Sequence, residues 1–313
     1  MNGDRDPRAV AEEVFRDRLG PVLVLAERYP DASDVFIDGD TVRVCLGDER
    51  LALPISEFGL TRRAVEAAGA AAAVFAGVEF GPSPPARPLL SVKVPPDLRV
   101  TFVRPPAADA WHVDIRFLRT RALTLDDYVR QGAMTPDQAG EIRRLLQARR
   151  TIVVSGGTGT GKTTLLRTLL AEIADRERLV IIEDTPELAV PGDNVVQLQT
   201  TLNVDLAALL RQTLRLTPDR IVLGEVRGPE ALELVRAMNT GHDGTLCTLH
   251  SNGAGEALRR LHTLVAEAQP GFPFGGVLSA VDHVLQLEGR GDGRRLAEVW
   301  PVPRGGGGEE HGR

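Results

Sequence analysis

Within RTIVVSGGTGTGKTTLL, Arg150 to Leu166, the residues Gly156, Gly161, Lys162 and Thr163 keep the spacing G-x-x-x-x-G-K-T. That spacing grips a polyphosphate. The small residues Gly157, Thr158, Gly159, Thr160 and Gly161 let consecutive backbone N–H groups turn inward, and a helix starting near Lys162 aims its positive end at the same point. Lys162 adds a full charge, while Thr163, followed by Thr164, offers a hydroxyl to Mg²⁺. The plainer alternative is a Gly/Thr turn leading into a helix, but β-branched strand, turn and leucine-rich helix arrive in the required order. The chain also has lysine only at Lys93 and Lys162, so the lysine in the loop is not a product of composition.

Further carboxylates and histidines follow apolar runs downstream. Ile181 to Glu187 delivers Glu183 and Asp184 at the end of a strand, with Glu187 close by, where a carboxylate orients an attacking water or reaches the metal through water. Arg220 to Gly228 has the apolar strand and terminal acid of a Walker B element, with Gly224 where many P-loop enzymes place aspartate, so Glu225 serves the Mg²⁺ and water side. In Gly241 to Asn252, His242 and His250 bracket a short strand and cannot act as paired ligands on one helix face. His250 is a candidate sensor of the terminal phosphate, and His242 a polar strut.

The elements that must position these groups fall into two domains. Residues 1–121 read as a small α+β domain: helices over Arg8 to Leu19 and Thr61 to Ala76, strands over Asp34 to Ile37, Val42 to Leu46, Leu89 to Val94, Arg99 to Val103 and Trp111 to Phe117, and a proline-rich loop over Gly81 to Pro88. Residues 122–304 read as α/β with a mainly parallel sheet, a RecA-like P-loop NTPase domain. Its helices are Leu125 to Gln131 and Pro136 to Arg149, and its strands Thr151 to Ser155, Val180 to Glu183, Val195 to Gln199, Arg220 to Gly224, Gly244 to Thr248, His283 to Leu287 and Leu296 to Pro301. In such sheets ligands bind beyond the carboxyl ends of the strands. The glycine-rich tail, residues 305–313, reads as disordered.

At 313 residues with 42% hydrophobic residues, the chain can bury a large core, and its net charge of −6 argues against a protein held to nucleic acid by overall charge. The amino terminus lacks the apolar stretch of a signal peptide, and Ala67 to Val78 is too short to span a bilayer, which points to the cytosol. Cys45 and Cys247 stand apart and suit reduced thiols that pack.

In order, GGTGTGKT, IEDTPEL, RIVLGEVRG and GHDGTLCTLHSN resemble the Walker A, Asp box, Walker B and His box of the type II/type IV secretion ATPase superfamily, whose own Walker B pattern carries the Gly-Glu pair. The phrases SDVFIDGD, IRF and LTLDDYV look most like the conjugal-transfer (TrbB-like) secretion ATPases, and AMNTGHDG resembles the tight-adherence pilus branch. The resemblance implies an ATP-hydrolysing, Mg²⁺-dependent motor. It implies hexameric rings acting on inner-membrane secretion or pilus machinery from the cytoplasmic face, with nucleic acid only as transported cargo. It implies that Arg99 and Arg116 reach the nucleotide phosphates from the amino-terminal domain, hinged near Leu118 to Thr124, and that Arg211 or Arg215 contacts phosphate. Glu183 and Glu225 both remain candidates for orienting water. A RecA-like nucleic-acid motor and a nucleotide-dependent scaffold are the rival readings.

Overall fold

A computed structural model describes residues 6–29, 32–46, 49–80, 87–95, 98–117, 123–188, 190, 192–201 and 203–303. Most of the proline-rich loop, Asp97, the first hinge residues Leu118 to Ala122 and the glycine-rich tail lie outside the described residues. The chain forms two compact units, Met1–Thr120 and Arg121–Arg313.

The first unit contains helices α1 (Pro7–Leu23), α2 (Leu25–Arg28) and α3 (Arg62–Ala76) and strands β1 (Ala32–Asp38), β2 (Thr41–Leu46), β3 (Glu49–Pro54), β4 (Leu89–Val94), β5 (Leu98–Val103) and β6 (His112–Phe117). The strands make one antiparallel sheet in the order β3-β2-β1-β6-β5-β4. Alternation sets its faces: Val35, Ile37, Val100, Phe102, Val113 and Ile115 are buried in one cluster with Phe15 and Leu19 of α1 and Ala68 and Ala72 of α3. The Asp6 carboxylate caps α1, accepting from Arg8 N at 2.9 Å. The sequence reading stops this helix at Leu19, before Gly20-Pro21, yet it continues through Pro21 to Leu23 because Val22 is also buried. Strand β3, not foreseen, is exposed along nearly its whole length and so carries no alternation to read.

In the second unit the chain runs α4 (Leu125–Arg130), α5 (Pro136–Gln147), β7 (Ile152–Gly156), α6 (Lys162–Ala171), β8 (Leu179–Glu183), β9 (Val195–Gln199), α7 (Leu206–Thr213), β10 (Arg220–Val226), α8 (Glu230–Met238), β11 (Leu246–His250), α9 (Ala254–Ala268), α10 (Phe274–Ala280), β12 (His283–Glu288) and β13 (Arg295–Pro301). Capping boxes start α4 at Thr124 and Asp127, and α5 at Thr135 and Gln138 ahead of Pro136. The seven-stranded sheet has the order β13-β12-β7-β11-β10-β8-β9, parallel except where β13 turns back on β12. Strands β7 and β8 are buried at every residue, as parallel strands covered on both faces must be.

At the amino-terminal end of β10, Arg220 has no side-chain exposure and pairs with Glu177, Nε to Oε2 at 2.6 Å. It also donates to Leu146 O at 2.6 Å and Gly244 O at 3.2 Å, tying the end of α5 to the turn before β11. Strand β11 starts at Leu246 rather than Gly244, since that turn occupies the expected first positions, and it ends on His250.

Candidate functional site

Strands β7, β11, β10 and β8 are successive neighbours and parallel. Their carboxyl ends therefore set the phosphate loop, His250, Glu225 and Glu183 side by side. This is how motifs spread from Gly156 to His250 meet: the topology orders them at one sheet end.

The loop closes on itself. Thr160 Oγ1 donates to Gly157 O at 3.0 Å, and Gly161 takes φ of +93°, a left-handed turn that lets α6 begin at Lys162. Thr158 and Gly159 are exposed, Gly157, Gly161, Thr163 and Thr164 half-buried. The Thr163 hydroxyl, at the second residue of α6, makes no hydrogen bond among the described residues.

A solvent-facing side chain would be the simplest expectation for Lys162, yet it is buried, 7% exposed. Its ammonium donates to Gly156 O at 2.9 Å, Gly157 O at 2.8 Å and His250 Nδ1 at 3.3 Å. Burial depresses its pKa, with Arg227 adding to the fall and Glu225 opposing it. An ammonium only donates, so Nδ1 of His250 is the acceptor, while Nε2 lies 2.8 Å from Glu225 Oε1, an oxygen that makes no hydrogen bond among the described residues. Burial, and then the Lys162 charge, hold His250 below its ordinary pKa, which favours this neutral tautomer. Glu225 is also paired with Arg227. Lys162, His250, Glu225 and Arg227 form one continuous polar chain.

The Gly224-Glu225 pair has a packing reason. A Cβ at Gly224 would lie 2.9 Å from Glu183 Cγ, so a larger residue there would force the Glu183 side chain to move. The ladder with β11 shifts register between Leu223 and Val226, and a bulge of this kind re-aims a side chain. Thr248 Oγ1 pins the bulged segment by donating to Gly224 O at 2.7 Å. Glu183 is 5% exposed, and its Oε1 accepts from Glu187 N at 2.9 Å and Leu188 N at 3.0 Å, so it braces the loop after β8. Asp184 is exposed, and Glu187 is half-buried.

Other candidates lie elsewhere. The ring of His242 leaves Nδ1 without a hydrogen bond; the backbone carbonyl of that residue accepts from Thr245 Oγ1 at 2.8 Å, so the strut is main chain. Arg211 reaches Glu233 at 3.3 Å, joining α7 to α8, and Arg215 is exposed. In the first unit, one row of directly opposed residues crosses the sheet as Arg50, Cys45, Asp34, Arg116, Arg99 and Lys93. Arg116 Nε donates to Asp34 Oδ1 at 2.7 Å, a partner 82 positions away in sequence. Burial pushes up the pKa of Asp114 on the same face, helped by Asp34 and opposed by Arg116 and Arg99.

Sequence reasoning missed Arg294, which leaves the β12–β13 turn and donates to Gly159 O at 3.1 Å, and Arg227. Arg227 sat inside a quoted motif, two residues from Glu225, and that spacing on a strand was an available signal. Nothing in the sequence near Arg294 pointed to a loop 135 positions away.

The fold and site define a P-loop nucleotide-binding protein of RecA-like architecture. A family model for Type II/IV secretion system protein matches residues 86–288. The chain belongs to that family. It is 46% identical over 217 residues to the conjugal transfer protein TrbB of Rhizobium radiobacter, covering 68% of this chain and 67% of that one. It is 34% identical over 260 residues to the type IV secretion system protein VirB11 of Brucella suis biovar 1, covering 69% and 72%. Among solved structures, the VirB11 ATPase of the Brucella suis type IV secretion system in complex with sulphate aligns with TM-score 0.50 and 30% identity, over 94% of this chain and 96% of that one. The pilus retraction motor PilT with bound ADP aligns with TM-score 0.61 and 21% identity, over 85% and 78%, a likeness of fold.

Proposed function

We propose that the chain is an ATP-hydrolysing motor of a type IV secretion machine of the conjugal-transfer kind. In this reading it works as a homo-oligomeric ring, hexameric as in the resemblance, at the inner face of the cytoplasmic membrane. The observation that carries the reading is the polar chain from Lys162 through His250 to Glu225, laid across adjacent strand ends beside a phosphate loop. The TrbB and VirB11 relatives support the secretion context. Sulphate on the solved VirB11 ATPase supports an anion site, since that ion has the shape and charge of phosphate. Among the described residues no helix is long and apolar enough to cross a membrane, which suits peripheral association.

Each group then has a task. Backbone N–H groups of Gly157 to Lys162 and the amino-terminal end of α6 hold the phosphates. Lys162 exchanges its carbonyl partners for phosphate oxygens. Glu225 orients the attacking water, with His250 reporting the state of Lys162 to it, while Glu183 positions Gly224 and the loop after β8. A magnesium ion would fit the donors present, the Thr163 hydroxyl and Glu225 Oε1, neither of which makes a hydrogen bond among the described residues. No group of three or more His, Cys, Asp or Glu side chains able to hold a metal occurs among the described residues. When bound, it neutralises charge on the phosphates. Arg99 and Arg116, directly opposed across β5 and β6, are the proposed phosphate contacts of the first unit, a planar guanidinium being suited to phosphate oxygens.

Steady-state ATP hydrolysis with and without Mg²⁺ tests the reading. The wild-type protein turns over only with the metal, and Lys162→Ala falls by orders of magnitude. Retention of more than about a tenth of the rate in Lys162→Ala would overturn it.

A further inference from the structure

We infer that Arg260 is the side chain that distinguishes a nucleoside triphosphate from a diphosphate, by pairing with the terminal phosphoryl group. The inference rests on the nucleotide reading above and extends it to a residue that no sequence motif marks.

Helix α9 follows β11 directly, so its first turns stand over the strand end that carries His250. Its apolar stripe, Ala257, Leu258, Leu261, Leu264 and Val265, is buried in the core, which turns Arg260 to the exposed side. There Arg260 lines two adjoining cavities that share His250 as a wall. One is bordered by Gly157 and Thr158 of the phosphate loop. The other is bordered by Glu225 and Arg227. Arg260 thus lines one cavity with the loop that takes the phosphates and another with the carboxylate assigned to water.

The other cations here are engaged: Lys162 with two carbonyls and His250, Arg227 with Glu225. Arg260 makes no hydrogen bond or ion pair among the described residues, not even with Glu256 one turn earlier, where helical spacing favours a pair. Its planar fork is therefore available for two oxygens of one phosphate. The backbone N–H groups of the loop and of the start of α6 are assigned to the α- and β-phosphates, so the group left for Arg260, beside His250 and Glu225, is the terminal one. A diphosphate lacks that group and gains nothing from Arg260.

The test measures dissociation constants for Mg-ADP and for the magnesium complex of the β,γ-imido analogue of ATP, using the wild-type 313-residue chain, Arg260→Ala, Arg260→Lys and Lys162→Ala. Arg260→Ala is expected to weaken the analogue roughly tenfold or more while moving ADP less than about twofold, with Arg260→Lys between. The ratio of the two affinities is what a merely structural residue would leave alone. If Arg260→Ala leaves that ratio unchanged, whether both affinities hold or both fall together, the inference is overturned. Lys162→Ala separates the two failures: it weakens both nucleotides if the nucleotide reading stands, and an unchanged affinity for both sinks that reading itself.

Discussion

Replacing His250 by alanine cuts the polar chain at its middle, and the structure sets the size of the effect. The imidazole accepts a hydrogen bond from Lys162 Nζ at 3.3 Å, and that bond to a charged group is what the substitution removes; Glu225 Oε1 lies 2.8 Å from Nε2 without bonding it. Hydrogen bonds to charged groups are worth about 1.5–3 kcal/mol. The side chain is 46% exposed, and water replaces part of the contact, which places the loss near the lower figure. At about 1.4 kcal/mol per tenfold, kcat falls by roughly a factor of ten. A second signature is the pH profile. The pKa of His250 lies below its ordinary value of about 6.5, so the ring is neutral at pH 7. As pH falls beneath that value the unfolded chain takes up this proton before the folded one does, so stability declines with falling pH, and protonated Nδ1 confronts Lys162 instead of accepting from it. Wild-type kcat should show an acid limb below about pH 6.5 that His250→Ala lacks. Wild-type turnover by His250→Ala with the acid limb intact would refute the reasoning.

Glu177→Ala leaves the fully buried Arg220 guanidinium without its carboxylate and should lower unfolding free energy by about 3–5 kcal/mol in urea titrations, a loss under about 1 kcal/mol contradicting the strut. Because Lys162 is buried on two loop carbonyls, Lys162→Ala should also reduce amide-exchange protection of the loop, and unchanged protection would count against that packing.

The sequence makes the phosphate loop legible because its chemistry is local: spacing within eight residues, a strand before and a helix after. The meeting of Glu183, Glu225 and His250 with it was also legible, since each follows an apolar strand of a parallel sheet. What escaped reading is pairing over long sequence distances. Arg116 finds Asp34 from a distant strand, Lys162 turns inward onto carbonyls, and Arg294 reaches the loop from a distant hairpin. Gly224 was legible as part of the Gly-Glu pair that the resemblance carries, but its packing reason, Glu183 Cγ 2.9 Å from where a Cβ would stand, was not. Exposed β3 has no alternation to betray it.

The account stands on Glu225 as the carboxylate that turns bound nucleotide into hydrolysed nucleotide. Glu225→Gln keeps shape and hydrogen bonding but loses the charge that orients water. Mg-ATP affinity and turnover should be measured on the same preparation. Affinity is expected within a few-fold of wild type, with kcat reduced by about a hundredfold or more. Undiminished turnover, or affinity and turnover falling together, would contradict it and return the role to Glu183.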